Sequence, residues 1–431
     1  MGTMGKTIVI IGAGLAGTTA ARELSQAGQP VTLIDPEAGD TYERPPLSKH
    51  LFDDSRYHLP YHLESDEGIT FVRHRAVSLT LAEAGSEFAG AVHLASGETL
   101  DFTHCILATG MEANRPEVPA YPDALPVYNL GEAEWIRNFV AEADDPLDVG
   151  VLGSGYLGIE VASAAVAAGH RATVYLRGTE PLRRQLSSPV RQALFAKHAE
   201  AGVRFVTNLE SVEAIPAGVH DLFVTSVGAR PVRIPIDGTL PTTDEHVADP
   251  EGTVAGEAPT FAWDVDAHLA TAYPGVWAAG DCAHITGGRF PLTHPWACEP
   301  VAESHGKYLA QQILAEAADR DAGDVPSSSG ESKPWSDVPW HWSFQGPEKV
   351  FTAGLTSPDA DDTILRRDPS GEKFQVFHFA GPDPEAELIG VETLNWPPMQ
   401  AAARRVLAGD HVPTRAQLED PDFDFKAHSR L

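Results

Sequence analysis

Two glycine clusters carry the first chemical signal in the chain. Gly12-Ala13-Gly14-Leu15-Ala16-Gly17 and Gly153-Ser154-Gly155-Tyr156-Leu157-Gly158 share the spacing G-x-G-x-x-G. Each follows a continuous apolar run, Ile8 to Ile11 or Val149 to Leu152, and each opens a stretch of helical pattern. In that setting the first glycine makes a tight turn. The second admits a pyrophosphate against bare backbone, and the third lets the helix pack on the strand. The positive end of the helix then faces the phosphates. An acid at the end of the next strand accepts hydrogen bonds from a ribose. Asp35 fills that place in the first copy, 23 residues after Gly12. In the second copy Leu176 stands there, followed by Arg177, with Arg183 and Arg184 just beyond. An acid would repel a 2′-phosphate, whereas a guanidinium binds one bidentately. The second site is therefore expected to favour NADPH over NADH.

A third element ends in Gly280-Asp281, after the apolar run Pro274-Gly275-Val276-Trp277-Ala278-Ala279. An Asp at a strand end beside a bound flavin can hydrogen-bond the ribityl hydroxyls, and Thr271 lies at a fitting spacing before it. The remaining inventory is short. Three cysteines occur, Cys105, Cys282 and Cys298, with no CxxC or CxxxxC pair. That spacing excludes a disulfide scaffold and argues against a zinc ribbon or a local dithiol. His284, His294 and His305 show no metal-ligand constellation, so no metal is expected.

The elements that must position these residues follow the hydrophobic pattern. The runs at 8–11 and 149–152 read as buried parallel strands. Helical stretches run from Thr18 to Ala27 and from Ile159 to Ala168, and Gly28 and Gly169 stop them. Val31 to Ile34 and Ala172 to Leu176 are the next strands. Two such units, about 140 residues apart, imply two dinucleotide-binding domains. Residues 315 to 337 turn acidic and then rich in proline and serine, the composition of a linker. Beyond it, alternating stretches such as Lys373 to Phe379 read as antiparallel strands, Pro398 to Ala408 as a helix, and Gln417 to Leu431 as a polar, acidic tail.

Composition bounds the function. The 431 residues are 42% hydrophobic and 21% charged, as in an ordinary globular protein. The formal charge of −30 argues against general nucleic-acid or anionic-membrane binding, since both need a positive field. No apolar run approaches the ~20 residues of a membrane span. The apolar run near the start is too short for a secretory leader, and the expected compartment is the cytoplasm. No feature specifies an oligomeric state.

Taken in order, the three elements resemble the flavoprotein pyridine-nucleotide reductases of the glutathione-reductase-like superfamily. Ile106 to Gly110 resembles the family's crossover into its nucleotide domain, and Ser226 to Pro231 the crossover back. Tyr42-Glu43-Arg44-Pro45-Pro46-Leu47-Ser48-Lys49 is similar to the signature of FAD-dependent NAD(P)H:ferredoxin reductases that serve bacterial Rieske oxygenases and P450 systems. Disulfide reductases of the superfamily carry a CxxxxC pair in this region, and residues 36 to 60 contain no cysteine. Val338 to Gln345 resembles the entry into the family's third domain.

The resemblance implies an α/β fold with two Rossmann-like domains and a C-terminal α+β domain. The FAD domain would span 1–112 and 240–320, the NAD(P) domain 113–239, a linker 321–337 and the third domain 338–431. Arg44 and Pro45 would contact the flavin, with Lys49 near N5 and Trp342 approaching from the third domain. The resemblance further implies flavin contacts at Val77, Ala108, Thr109, Gly110, Arg115, Trp296 and Cys298. For NAD(P) it implies Tyr156, Leu157, Glu160, Val227 and Gly228, with Glu160 near both the nicotinamide and Lys49. The implied activity takes hydride from NAD(P)H onto FAD and passes single electrons to a ferredoxin-type iron–sulfur protein.

The chain departs from the family at Phe290 to Glu299, which replaces an Arg-x-Glu element, and in a longer, more polar 235–262 stretch. These departures keep two alternatives open: an NAD(P)H oxidase or small-molecule reductase, and a redox-sensing interaction protein with little turnover. An acidic ferredoxin would need a local positive surface on so acidic a chain. Arg73, Arg75, Arg289, Arg366, Arg367, Arg404 and Arg405 are the candidates.

Overall fold

A computed structural model of the chain describes residues 6–37, 41–53, 55–63, 66–237, 262–291, 297–321, 333–360 and 362–431. The chain forms two compact units. The first unites Met1–Glu43, Pro60–Glu112 and Arg230–Asp337; the second unites Arg44–Leu59, Ala113–Ala229 and Val338–Leu431. The segment 44–59, which carries Arg44, Pro45 and Lys49, thus groups with the second unit.

The first unit is built on a five-stranded parallel sheet. Its strands lie in the order Val276–Ala278, His104–Leu107, Ile8–Ile11, Val31–Ile34 and Ile69–Val72. All four residues of Ile8–Ile11 are buried, as the unbroken apolar run requires of a strand covered on both faces. The chain leaves this central strand toward one neighbour and returns on its other side, which creates the switch point where such sheets bind ligands. The helix Leu15–Gln26 follows the glycine turn directly, three residues earlier than the apolar pattern alone suggests. Gly28 ends it at φ +80°, and Gly169 ends the corresponding helix of the second unit at φ +90°. Both take the left-handed cap that a residue without Cβ adopts freely. The helix Glu299–Asp321 lies against Leu15–Gln26 so closely that a Cβ on Gly306 would stand 2.4 Å from the Ala16 carbonyl oxygen.

The stretch from residue 315, read as linker, therefore begins inside that helix. Residues 322–332 lie outside the described residues. Beyond them Trp335 is buried, and its backbone N–H donates to the Ala267 carbonyl at 2.8 Å.

The second unit holds another five-stranded parallel sheet, ordered Arg204–Val206, Arg171–Tyr175, Asp148–Leu152, Leu222–Thr225 and Leu125–Pro126. Tyr156–Ala167 is its glycine-turn helix. An antiparallel sheet completes the unit, ordered Trp340–Gln345, Glu348–Gly354, Leu388–Leu394, Phe374–Phe379 and Ile364–Arg367. The helix Pro397–Ala408 lays Ala402, Ala403, Val406 and Leu407 against this sheet. All six residues of Phe374–Phe379 are buried, so the strand is covered on both faces rather than one.

The tail also differs from its polar composition. Leu418 and Phe425 enter the same core, with Phe425 edge-on to Phe377 at 5.0 Å. The Arg366 guanidinium fixes this stretch by donating to the carbonyls of Phe423, Leu418 and Asp420 at 2.8, 2.6 and 2.5 Å. Two anchors among acidic residues hold a tail that average polarity describes as loose.

Leu33 is fully buried in the first sheet, whereas Leu431 is 85% exposed. Leu33→Ala is expected to lose about 2–5 kcal/mol of stability, and Leu431→Ala less than about 0.5 kcal/mol. Urea unfolding followed by circular dichroism checks the contrast, and equal losses would contradict this packing.

Candidate active site

The two glycine turns repeat one geometry. Gly12 and Gly153 adopt φ of +105° and +107°, and their N–H groups donate to Ile34 and Tyr175 carbonyls at the ends of the next strands. A Cβ on Gly12 would stand 2.1 Å from the Ala108 carbonyl oxygen; on Gly153 it would meet Ser226 at 2.2 Å. The third glycines are equally constrained, since a Cβ on Gly17 would stand 2.0 Å from the Gly12 carbonyl oxygen and one on Gly158 2.3 Å from that of Gly153. The middle glycines differ. Among the described residues nothing lies within 4 Å of the Cβ position of Gly14, and that of Gly155 meets only the Gln185 side chain at 3.5 Å. Both helices start at these middle glycines with no side-chain cap and no acid in the first turn. The first N–H groups of a helix have no intrahelical partner, and with the positive dipole ends they suit a dinucleotide pyrophosphate. The residues present therefore fit two dinucleotide cofactors.

The second unit gathers a charged cluster. Lys49 closes the short helix Pro45–Lys49, and its Nζ donates to Glu160 Oε2 at 3.1 Å. Glu160 sits in the first turns of Tyr156–Ala167 and is 4% exposed. A buried carboxylate needs its lone pairs filled. Ser48 Oγ donates to Oε2 at 2.8 Å, and Ser343 Oγ donates to Oε1 at 2.6 Å. Ser343 lies on Trp340–Gln345, whose alternate residues bond in one direction: His341 with Tyr156, Ser343 with Glu160, and Gln345 with His198. The intervening Trp340 and Trp342 meet with their rings tilted by 33° and centroids 5.5 Å apart.

Other expected residues stand as follows in the first unit. Asp35 Oδ2 accepts the Ala13 N–H at 2.7 Å and Oδ1 accepts that of Glu37 at 2.8 Å, tying the strand end to the glycine turn. Thr109 Oγ1 donates to the Val232 carbonyl at 2.5 Å, Ala108 is buried, and Gly110 has φ +64°. Val77 is exposed, Gly280 buried, and Asp281 half-buried. Cys298 is half-buried, and burial pushes its thiol up to about 12. Trp296 and His294 lie outside the described residues, as does half of the departing 290–299 stretch.

In the second unit, Arg44 donates to the Tyr128 carbonyl at 2.7 Å and lies over that ring. Arg115 pairs with Glu132. Pro45 occupies the first turn of its helix. Leu157 and Gly228 are exposed, Val227 is half-buried and Leu176 is buried. Arg177, Arg183 and Arg184 are exposed beyond the strand Arg171–Tyr175. Among the docking candidates, Arg366 is committed to the tail, Arg404 lies 3.9 Å from the Trp340 ring, and Arg367 lies over Phe374. These three serve packing within the C-terminal sheet.

Sequence reasoning missed Ser48, Ser343 and His341. Ser48 lay inside the Tyr42–Lys49 signature and Ser343 next to Trp342, so strand alternation was the signal that could have found the latter. His341 lies edge-on to Tyr156, with Nε2 3.1 Å from its hydroxyl and Nδ1 2.6 Å from Thr352 Oγ1. Burial, with the Glu392 and Glu160 charges, pushes the Tyr156 phenol well above its ordinary value. Burial also pushes His341 down to about 4. In the unfolded chain a histidine binds its proton near 6.5. His341 therefore leaves stability untouched above pH 6.5 and lowers it as pH falls from 6.5 to about 4, by on the order of 1 kcal/mol per pH unit. His341→Phe is expected to flatten the stability loss between pH 6.5 and 4.5 in urea titrations. A variant whose loss matches the parent's would remove His341 as its source.

The profile of the pyridine nucleotide-disulphide oxidoreductase family matches residues 6–297, and that of the reductase C-terminal domain matches residues 340–429. Rhodocoxin reductase of Rhodococcus erythropolis is 31% identical, across 97% of this chain and 93% of its own. The ferredoxin–NAD(+) reductase component of the p-cumate 2,3-dioxygenase system of Pseudomonas putida is 28% identical, across 97% of both. Among solved structures, the ferredoxin reductase for the CYP199A2 system from Rhodopseudomonas palustris covers 98% of this chain and 100% of its own. Its TM-score is 0.77 and its identity 27%. The two glycine turns and the C-terminal sheet thus have counterparts along the whole length, and the chain belongs to the pyridine nucleotide-disulphide oxidoreductase family, with a reductase C-terminal domain.

Proposed function

We propose that this protein is an FAD-dependent NAD(P)H:ferredoxin reductase. The observation that carries the reading is the ion pair of half-buried Lys49 with buried Glu160, which joins the Arg-Pro-Pro-Leu-Ser-Lys segment to the helix of the second glycine turn. Bound FAD supplies the chemistry that couples a two-electron hydride donor to a one-electron iron–sulfur acceptor. Gly12, Gly14, Gly17 and Asp35 hold its adenosine and pyrophosphate, and Gly280–Asp281 its ribityl chain. Gly153, Gly155 and Gly158 receive NAD(P)H. Lys49 brings a positive charge to the place where negative charge develops on reduction. Glu160 orients that ammonium and is itself held by Ser48 and Ser343.

A dithiol relay has no residues to use, because no cysteine lies between 36 and 60 and Cys105 and Cys282 are buried with raised thiol pKa values. Free cysteines suit a reducing compartment, which supports placement in the cytoplasm. Among the described residues no helix is long and apolar enough to cross a membrane. Arg177, exposed past Leu176, supports a preference for NADPH.

The test is steady-state reduction of a ferredoxin by the purified flavoprotein, with NADH and NADPH side by side. Fast ferredoxin turnover is expected, faster with NADPH; Arg177→Glu is expected to raise the KM for NADPH and leave that for NADH. Rapid flavin reduction without ferredoxin turnover would replace this reading with an oxidase or small-molecule reductase. In stopped-flow, Lys49→Met and Glu160→Ala are expected to slow flavin reduction by on the order of 10²-fold. Unchanged rates would remove both residues from the mechanism.

A further inference from the structure

His305 is a buried titratable group of the first unit to which the site described above gives no role. It lies on Glu299–Asp321, is 1% exposed, and its Nδ1 accepts the backbone N–H of Gly280 at 3.2 Å. Acceptance at Nδ1 puts the ring proton of a neutral imidazole on Nε2. That nitrogen is buried with no hydrogen-bond partner among the described residues. The ring meets Trp335 edge-on, with centroids 4.8 Å apart. Burial pushes the imidazolium down to about 3, so the ring stays neutral and Nδ1 stays an acceptor. An unpaired buried N–H carries a desolvation cost that an apolar side chain would not incur. What the histidine adds is the acceptor for Gly280.

Gly280 opens the turn Gly280–Cys282 at φ +72°. A Cβ on it would stand 3.0 Å from the Ala16 side chain and 3.5 Å from that of Ala302. The turn, the start of the first glycine-turn helix and the helix Glu299–Asp321 therefore meet in van der Waals contact. Gly306, beside His305, is what allows the two helices to close to this distance. Cys282 Sγ, 3.3 Å from the Leu107 carbonyl, secures the far side of the same turn. Asp281 projects from between these two anchors.

We propose that His305 is a positioning residue for the flavin: by holding the Gly280 amide it fixes the direction in which Asp281 presents its carboxylate to the ribityl hydroxyls. This rests on the assignment of Gly280–Asp281 as a flavin contact. His305→Leu and His305→Asn both branch at Cγ, but only Asn offers an acceptor, Oδ1, where Nδ1 stands. FAD dissociation is measured on each purified holoprotein as flavin fluorescence recovered on dilution. The flavin midpoint potential and the melting temperature of the flavin-stripped protein are measured beside it.

Expected are a roughly tenfold weaker FAD affinity and a shifted potential for His305→Leu, at a similar flavin-free melting temperature, with recovery of both in His305→Asn. Should the Leu variant fail to fold, His305→Ala takes its place against Asn. Asn behaving like Leu, or Leu holding FAD as the parent does while Asp281→Ala loses it, would overturn the role of His305 alone. Parental affinity in Asp281→Ala would overturn the flavin assignment itself, and this inference with it.

Discussion

A carboxylate taken out of water must be met by donors, and in the second unit that requirement falls on Glu160. Its two oxygens are filled by three side chains from two parts of the chain: Ser48 and Lys49 from one short helix, and Ser343 from the strand Trp340–Gln345. Removing water makes each of these contacts stronger and makes the loss of any one more costly. The short helix, the nucleotide helix and the first strand of the C-terminal sheet are therefore held in one arrangement by one charge. The catalytic proposal borrows this arrangement. A lysine that must meet developing negative charge needs a fixed position beforehand, and Glu160 supplies it.

The strand Trp340–Gln345 shows how a sheet edge can be two-sided in chemistry. Strand geometry sends successive side chains to opposite faces. His341, Ser343 and Gln345 meet polar partners on the helices Tyr156–Ala167 and Ser188–Glu200, while Trp340 and Trp342 meet each other on the other face. An apolar strand would pack against the same helices without selecting a register. Hydrogen bonds at three consecutive alternate positions select one, because a slip by a single residue would bury the tryptophans against Tyr156 and Glu160.

Much of this was legible in the residues, and for identifiable reasons. The glycine turns were readable because their constraint is local: Gly12 and Gly153 need positive φ, and Gly17 and Gly158 need room beside a carbonyl five residues away. The Lys49–Glu160 pairing was expected only through family resemblance, since spacing alone relates no residues 111 apart. Ser48, Ser343 and His305 were not found, because each acts through a partner that only tertiary packing brings near. The anchoring of the tail was not legible because composition averages over residues, whereas two side chains, Leu418 and Phe425, and one guanidinium decide its placement.

Glu392 is fully buried on the strand Leu388–Leu394, where the Ser187 N–H donates to it at 2.9 Å and the Ser187 hydroxyl donates as well. Ser187 is the N-cap of Ser188–Glu200, so an acid from the C-terminal sheet neutralises the positive end of a helix in the nucleotide-binding region. The C-terminal sheet is consequently not an interchangeable module. A graft from a relative would fold into place only if it brought an acid to the same strand position, and recombination between family members is restricted at that seam by one carboxylate.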